Sequence, residues 1–233
     1  MFAVSKEAFN VNCIEIISSM QRDLQNLRKS YEKDALLEKN LPETPYHLFD
    51  SWFQEAKSSI EIDEANAMSL CTLGVDGFPK SRIVLLKEIL EGKFLFYSNY
   101  TSEKGVAMEA YDKVSLHFFW PSLERQIIIK GNVKKVSREK SLDYFHSRPR
   151  GSQIGAWTSN QSSAITSREK LEEQLRHFED KFKDQNIPLP DFWGGYDCDP
   201  VSFEFWQGRP NRLHDRILFE LENDYWTFKR LQP

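Results

Sequence analysis

The segment Phe203 to Arg216, FEFWQGRPNRLHDR, brings aromatic residues, three arginines and a histidine together in one short stretch. If Arg212 to Arg216 is extended, period-two alternation puts Arg212, His214 and Arg216 on one face, with Leu213 and Asp215 on the other. Two guanidinium groups flanking an imidazole make an anion site with a titratable group at its centre. Arginine offers phosphate a planar fork of donors, and histidine exchanges a proton near neutral pH. A solvated turn with Asp215 in an ion pair accounts for the same residues equally well. Tyr144 and Arg148 stand at i and i+4, with Ser152 just past the break at Pro149. A phenol, a guanidinium and a hydroxyl can together hold a second phosphate, although a capped helix end is the commoner use of such an arginine. Arg82 and Lys87 in SRIVLLK, Lys104 in TSEKG, and Arg125 beside Gln126 are further cations, each alone an ordinary surface charge.

Other chemistries lack their patterns. The chain contains no G-x-G-x-x-G, P-loop, H-E-x-x-H or G-x-S-x-G, so a Rossmann fold, a zinc protease and an α/β-hydrolase are unsupported. His47, His117, His146, His177 and His214 have no metal-ligand spacing, and Cys13, Cys71 and Cys198 form no C-x-x-C pair. The expectation is reduced thiols and no metal. Lys plus Arg is 31 against 35 for Asp plus Glu, a net charge of −4 that argues against a nucleic-acid binder. No stretch approaches the roughly 18 apolar residues of a membrane span, and MFAVSKEAFN lacks a leader pattern. A cytoplasmic protein without nucleic-acid or membrane partners is expected.

These residues need elements to position them. Residues 1–26 read as a short helix or loose arm, with Ile14, Ile16 and Ile17 its scattered apolar positions. Pro45 opens a helix carrying Leu48, Trp52 and Phe53 at helical spacing. From Asn66 the pattern changes to short apolar runs between turns: AMSLCTL, a turn at Gly74 to Gly77, SRIVLLK and KFLFYSN. A short helix from Glu103 to Ala110 precedes VSLHFFW, a turn at Pro121 to Glu124, and RQIIIKGNVKKV. Five strands in so short a span predict an antiparallel barrel or curled sheet. Helical signals return at Arg138 to His146 and after Thr166, where Thr166 and Glu169 have capping-box spacing. In the latter, Leu171, Leu175, Phe178 and Phe182 form an apolar stripe. Between them RGSQIGAWTSNQSSAI reads as a long polar loop of the kind that carries function. VSFEFWQ, RILFEL and DYWTFKR are the last strand candidates. The fold class is mainly β within α+β, with residues 27–233 as a single domain.

The chain resembles the pyridoxamine 5'-phosphate oxidase family. FEFWQGRPNRLHDR is similar to that family's signature segment, with Glu204, Phe205, Trp206, Arg212, His214, Asp215 and Arg216 in register. The likeness extends through LRKSY, EANAM, SRIVLLK, SEKG, ERQIIIKG, YFHSRPRGSQIGAW, NQSS and WGGY, from about Leu27 to the C-terminus. It implies an FMN-binding split β-barrel with surrounding helices, a homodimer holding two FMN molecules between its subunits. By motif, FMN would be held by Arg82, Ile83, Val84, Leu85, Tyr97, Ser98, Lys104, Gln126, Gln161, Ser162, Trp206 and Arg216. The substrate phosphate would meet Lys87, Tyr144, Arg148 and Ser152, while Arg212 and His214 would face the substrate ring as catalytic residues. Arg28 and Tyr31 resemble a segment that closes over bound substrate.

The implied reaction oxidises pyridoxamine 5'-phosphate or pyridoxine 5'-phosphate to pyridoxal 5'-phosphate, with O2 reduced to hydrogen peroxide. Two residues depart from a simple transfer. Glu103 stands where relatives commonly carry a base, and is expected to point away from a bound phosphate. Arg82 and Lys87 have opposite parity, so the strand between them must bend or the ligands must straddle it.

Overall fold

The computed structural model describes residues 23–233. The reading of an N-terminal helix or arm falls largely outside the described residues. Residues 23–30 by themselves make a turn in which the Arg28 Nε donates to the Gln25 carbonyl at 2.9 Å. Tyr31–Pro233 forms a separate compact unit.

Alternating burial builds the sheet. Strand β1 (Ala67–Leu73) buries Met68, Leu70 and Thr72, and the later strand β5 (Lys113–Trp120) buries Val114, Leu116, Phe118 and Trp120. Between them come β2 (Pro79–Leu85), β3 (Glu88–Leu90), β4 (Lys93–Asn99) and helix α2 (Glu103–Ala110). The remaining strands are β6 (Arg125–Lys135), β7 (Trp193–Gln207), β8 (Asp215–Glu222) and β9 (Tyr225–Leu231). Every pairing is antiparallel, in the order β2-β1-β5-β6-β7-β4-β3, with β8 also on β7 and β9 on β8.

Strand β7 is the spine. Its first half pairs with β4 and its second half with β8, while β6 runs along its other edge through an irregularity at Lys130/Gly131. A strand that changes partner halfway curls the sheet into an open barrel. Helix α1 (Pro45–Ser58) fills the barrel, with proline at its first turn where a missing N–H costs nothing. Its Phe49 meets Phe94 and Phe118 at 5.0 and 5.3 Å, and Trp52 meets Phe205 at 5.3 Å.

Two expectations need correction here. The segment read as a polar loop begins with helix α4 (Arg150–Thr158), which follows α3 (Arg138–Ser147) across Arg148 and Pro149. Its Ile154 is buried and its Trp157 packs on Phe178 and Phe182 of the next helix region, so tertiary contact overrides a weak helical composition. Helix α5 (Arg168–Lys181) is capped by Ser167, one residue later than expected, whose hydroxyl accepts from the Lys170 N–H at 3.3 Å. No helix among the described residues is long and apolar enough to cross a membrane.

Candidate active site

A cavity of about 620 Å³ opens between β2, β4, α3 and α4. Of the expected residues, Ile83, Val84, Leu85, Lys87, Tyr97, Ser98, Lys104, Tyr144, Arg148, Ser152 and Gln161 line it. The lining also includes Trp193, Asn99 and Ser159, which sequence reasoning did not single out as site residues. Lys87, Lys104 and Arg148 stand in this wall without a single carboxylate among the lining residues, in a chain of net charge −4. Such a donor set is built for an anion.

The parity conflict on SRIVLLK resolves as a bend. The chain leaves β2 after Leu85 and joins β4 from Glu88 onward. Asn66 fastens the crossing: its side chain donates to the Leu86 carbonyl and its own carbonyl accepts the Leu86 N–H, both at 2.9 Å. Lys87 thereby reaches the cavity. Strand β2 ends the sheet order, so one edge of its backbone at Ile83 to Leu85 carries no strand partner among the described residues. Backbone donors and acceptors in a cavity wall suit a flat heteroaromatic ring with a polar edge.

Arg148 ends α3 in an extended conformation instead of lying on a helical face with Tyr144. Its guanidinium covers the Trp193 ring at 4.6 Å, and its buried Nη1 has no hydrogen-bond partner. Burial holds its pKa below the usual arginine value. A buried, unmatched guanidinium N–H beside Tyr144 and Ser152 fits a phosphate oxygen. Tyr97 stacks on Tyr144 at 3.8 Å and on Trp193 at 5.6 Å. Gly195 permits this, since a Cβ there would stand 2.8 Å from the Tyr97 ring.

Lys104 is buried in the first turn of α2, donating to Gln161 Oε1 at 2.7 Å and to the capping Ser102 hydroxyl at 3.3 Å. Burial and then Arg82 push its pKa down, while Glu103 opposes them. Arg82 itself lies off the cavity lining; its Nη1 donates to the Leu70 carbonyl, Thr72 Oγ1 and the Lys80 carbonyl at 2.8 to 3.1 Å. Glu103 turns to Lys80, with both carboxylate oxygens 2.5 Å from its Nζ. Ser162 lines a smaller neighbouring cavity of about 270 Å³ that shares Gln161.

The remaining expected residues gather elsewhere, at the far end of β7. Gln126, Trp206 and Arg216 are direct neighbours across β6, β7 and β8. Arg216 pairs with Glu204 through Nε at 2.9 Å, and Gln126 Oε1 lies 3.1 Å from His117 Nε2. The His214 ring sits 4.6 Å from Trp206, and Tyr31 is 5.7 Å from both rings.

The alternation expected for Arg212, His214 and Arg216 does not occur. Residues Pro210–Arg212 form a single 3-10 turn, and β8 starts only at Asp215. Asn211 and Arg212 have φ of 56° and 62°, a left-handed pair that costs strain outside glycine. Asp215 holds the turn in place by accepting from Arg209 Nη1 at 2.9 Å and Arg230 Nη1 at 2.7 Å. The Arg209 N–H donates to His214 Nδ1 at 3.1 Å, so the neutral ring carries its proton on Nε2. Burial first, then Arg212, lowers the His214 pKa against a smaller opposing pull from Asp215. Arg28 falls in the separate 23–30 segment.

Comparison with known proteins identifies the family and the fold. Residues 54–181 match the family described as pyridoxamine 5'-phosphate oxidase, and 193–233 match the pyridoxine 5'-phosphate oxidase C-terminal dimerisation region. A pyridoxine/pyridoxamine 5'-phosphate oxidase of Christiangramia forsetii is 56% identical over 214 residues, covering 92% of this chain and 100% of that one. Its counterpart in Flavobacterium psychrophilum is 54% identical, covering 91% and 100%. The solved structure of PhzG from Burkholderia lata, in complex with tetrahydrophenazine-1-carboxylic acid, superposes with a TM-score of 0.79 at 25% identity, covering 86% and 98%. An FMN-binding protein of Nostoc punctiforme, related to pyridoxamine 5'-phosphate oxidase, shares the fold at a TM-score of 0.64 and 14% identity, covering 82% and 98%. The curled antiparallel sheet is that of the FMN-binding split barrel, and the chain belongs to the pyridoxamine 5'-phosphate oxidase family of oxidoreductases.

Proposed function

We propose that this chain binds FMN and oxidises pyridoxamine 5'-phosphate and pyridoxine 5'-phosphate to pyridoxal 5'-phosphate, with O2 as electron acceptor. The observation that carries this reading is the cavity wall of Lys87, Lys104 and Arg148, free of carboxylates and edged by the open backbone of β2. Lys104 and Gln161 would hold the FMN phosphate, with Arg82 contributing charge, and Ile83 to Leu85 would meet the ring edge. Lys87, Tyr144, Arg148 and Ser152 would bind the substrate phosphate.

Bound FMN would supply the two-electron acceptor for the substrate and, through its reoxidation by O2, the hydrogen peroxide. The protein's part is to orient and to manage charge. His214, protonated on Nε2 when neutral, would donate toward the substrate ring from a fixed tautomer, while Arg212 adds positive charge beside it. Trp206 and Tyr31 stand beside the same ring.

We infer a homodimer from where these groups lie. Trp193 opens β7 and Trp206 almost closes it, about 40 Å apart along an extended strand. That separation exceeds the reach of one flavin nucleotide, so a second copy would bring its Trp206, His214 and Arg216 to the cavity of the first. The match of residues 193–233 to a dimerisation region supports this arrangement.

The test is an absorption spectrum of the purified protein with FMN, followed by aerobic addition of pyridoxamine 5'-phosphate. A flavin spectrum with peroxide and aldehyde in equal amounts is expected. Flavin binding without turnover would overturn the oxidase assignment, and failure to bind FMN would overturn the site.

A further inference from the structure

Among the described residues, one buried carboxylate outside the two half-sites stands out. Glu124 is 2% exposed, in the turn between β5 and β6, and has a left-handed φ of 56°. Its Oε2 accepts the backbone N–H groups of Glu32 and Lys33 at 2.8 and 3.0 Å. Its own carbonyl accepts the Gly208 N–H at 2.7 Å. One residue thus joins two segments: the one that begins with Tyr31, and the turn that leads from β7 to Arg212 and His214.

We propose that Glu124 is a positioning residue whose carboxylate seats Tyr31 against His214 and Trp206. The inference rests on the oxidase reading only for what that aromatic wall encloses.

The bonds from Glu32 and Lys33 fall immediately after Tyr31, where backbone direction decides where the ring lies. Further fastenings act along the chain: Arg125 Nη2 to Asp34 at 2.6 Å, Leu36 N–H to Asp215 at 3.0 Å, and Arg230 Nη2 to the Leu36 carbonyl at 2.8 Å. These fix residues 34–36, beyond the two amides that Glu124 holds next to Tyr31. Gly208 completes the seat, because a Cβ there would stand 2.7 Å from the Tyr31 Cγ and 3.1 Å from the Glu124 Cβ. Two N–H groups on one carboxylate oxygen are charge-assisted bonds, stronger than a neutral acceptor provides. Burying a carboxylate is costly unless it is so satisfied.

The test uses the FMN-loaded full chain with Glu124→Gln, Glu124→Ala, Tyr31→Ala and the Glu124→Ala/Tyr31→Ala double variant. Hydrogen exchange of residues 32 and 33 is expected to speed up about tenfold or more in Glu124→Ala and less in Glu124→Gln, which keeps an acceptor. The KM for pyridoxamine 5'-phosphate should rise roughly tenfold in Glu124→Ala, and the double variant should be no worse than Tyr31→Ala alone. Unchanged exchange in both Glu124 variants, or losses that add in the double variant, would overturn the proposal. If Glu124→Ala does not fold, exchange and KM in Glu124→Gln decide it. A wild type that shows no turnover defeats the oxidase reading instead, and amide exchange then still decides whether Glu124 seats Tyr31.

Discussion

The guanidinium of Arg148 lies 4.6 Å from the centroid of the Trp193 ring, and the indole fixes a buried cation whose Nη1 has nothing to donate to. Stacking orients the planar group without using its N–H donors. An arginine so placed has been desolvated in advance of its ligand.

Arg148→Ala is therefore expected to raise KM for pyridoxamine 5'-phosphate far more than it lowers kcat, because phosphate binding is shared by ground and transition states. Loss of a charged hydrogen bond of about 2 kcal/mol corresponds to roughly 30-fold in KM. Arg148→Lys should recover little, since an ammonium cannot lie flat on Trp193. Steady-state kinetics decide the matter, and an unchanged KM in Arg148→Ala would remove Arg148 from the phosphate site.

The path from residues to this site was legible where each strand buries one face by alternation, as in β5 with Val114, Leu116, Phe118 and Trp120. It was not legible where distant contacts decide. Parity left a bend or a straddled strand open between Arg82 and Lys87, and Asn66, from another segment, sets the bend at Leu86. The polar run after Pro149 becomes α4 because Trp157 finds Phe178 and Phe182. Arg212 leaves the expected alternation because Asp215, held by Arg209 and Arg230, fixes a left-handed turn before β8. Asn66, Phe178, Phe182 and Arg230 all lie outside the segments they shape.

His214 yields a pH prediction with a definite sign. Burial and then Arg212 keep its folded pKa below the ordinary 6.5, so the ring stays neutral as pH falls through that value and gains its proton only further down. Its contribution to stability is present above the unfolded pKa and is lost as pH falls through the folded one. Protonation also destroys the acceptor that Nδ1 presents to the Arg209 N–H. The acid limb of kcat/KM should accordingly lie below 6.5, and Arg212→Ala should move it upward by removing a nearby positive charge. An NMR titration of His214 alongside the pH profile measures both, and a limb that moves down in Arg212→Ala would contradict the electrostatic account.

Lys104 is expected to act on the phosphate of FMN and on nothing else in that molecule. In Lys104→Met the FMN dissociation constant should rise by about one to two orders of magnitude, read from quenching of flavin fluorescence, while the affinity for riboflavin should stay unchanged. The apoprotein should lose no thermal stability, because the substitution removes a buried cation held below its usual pKa by burial and by Arg82. Equal losses for FMN and riboflavin would show that Lys104 shapes the cavity instead of binding the phosphate.

Opposite ends of β7 carry the two half-sites, and this makes the intersubunit arrangement testable without a structure of the dimer. Arg148→Ala disables the cavity end and His214→Ala the Trp206 end, and each homodimer then has every composite site damaged once. If the variants are unfolded together and refolded as a mixture, half of the dimers are mixed on statistical grounds. In a mixed dimer one site collects both substitutions and the other collects none. Activity should then recover to roughly a quarter of the wild-type value, with the native KM for the recovered fraction. A site contained within one chain has no such route to recovery, because every chain in the mixture carries one substitution. Activity that stays at the average of the two variants, in a mixture shown by light scattering to be dimeric, would place both halves of the site in a single subunit.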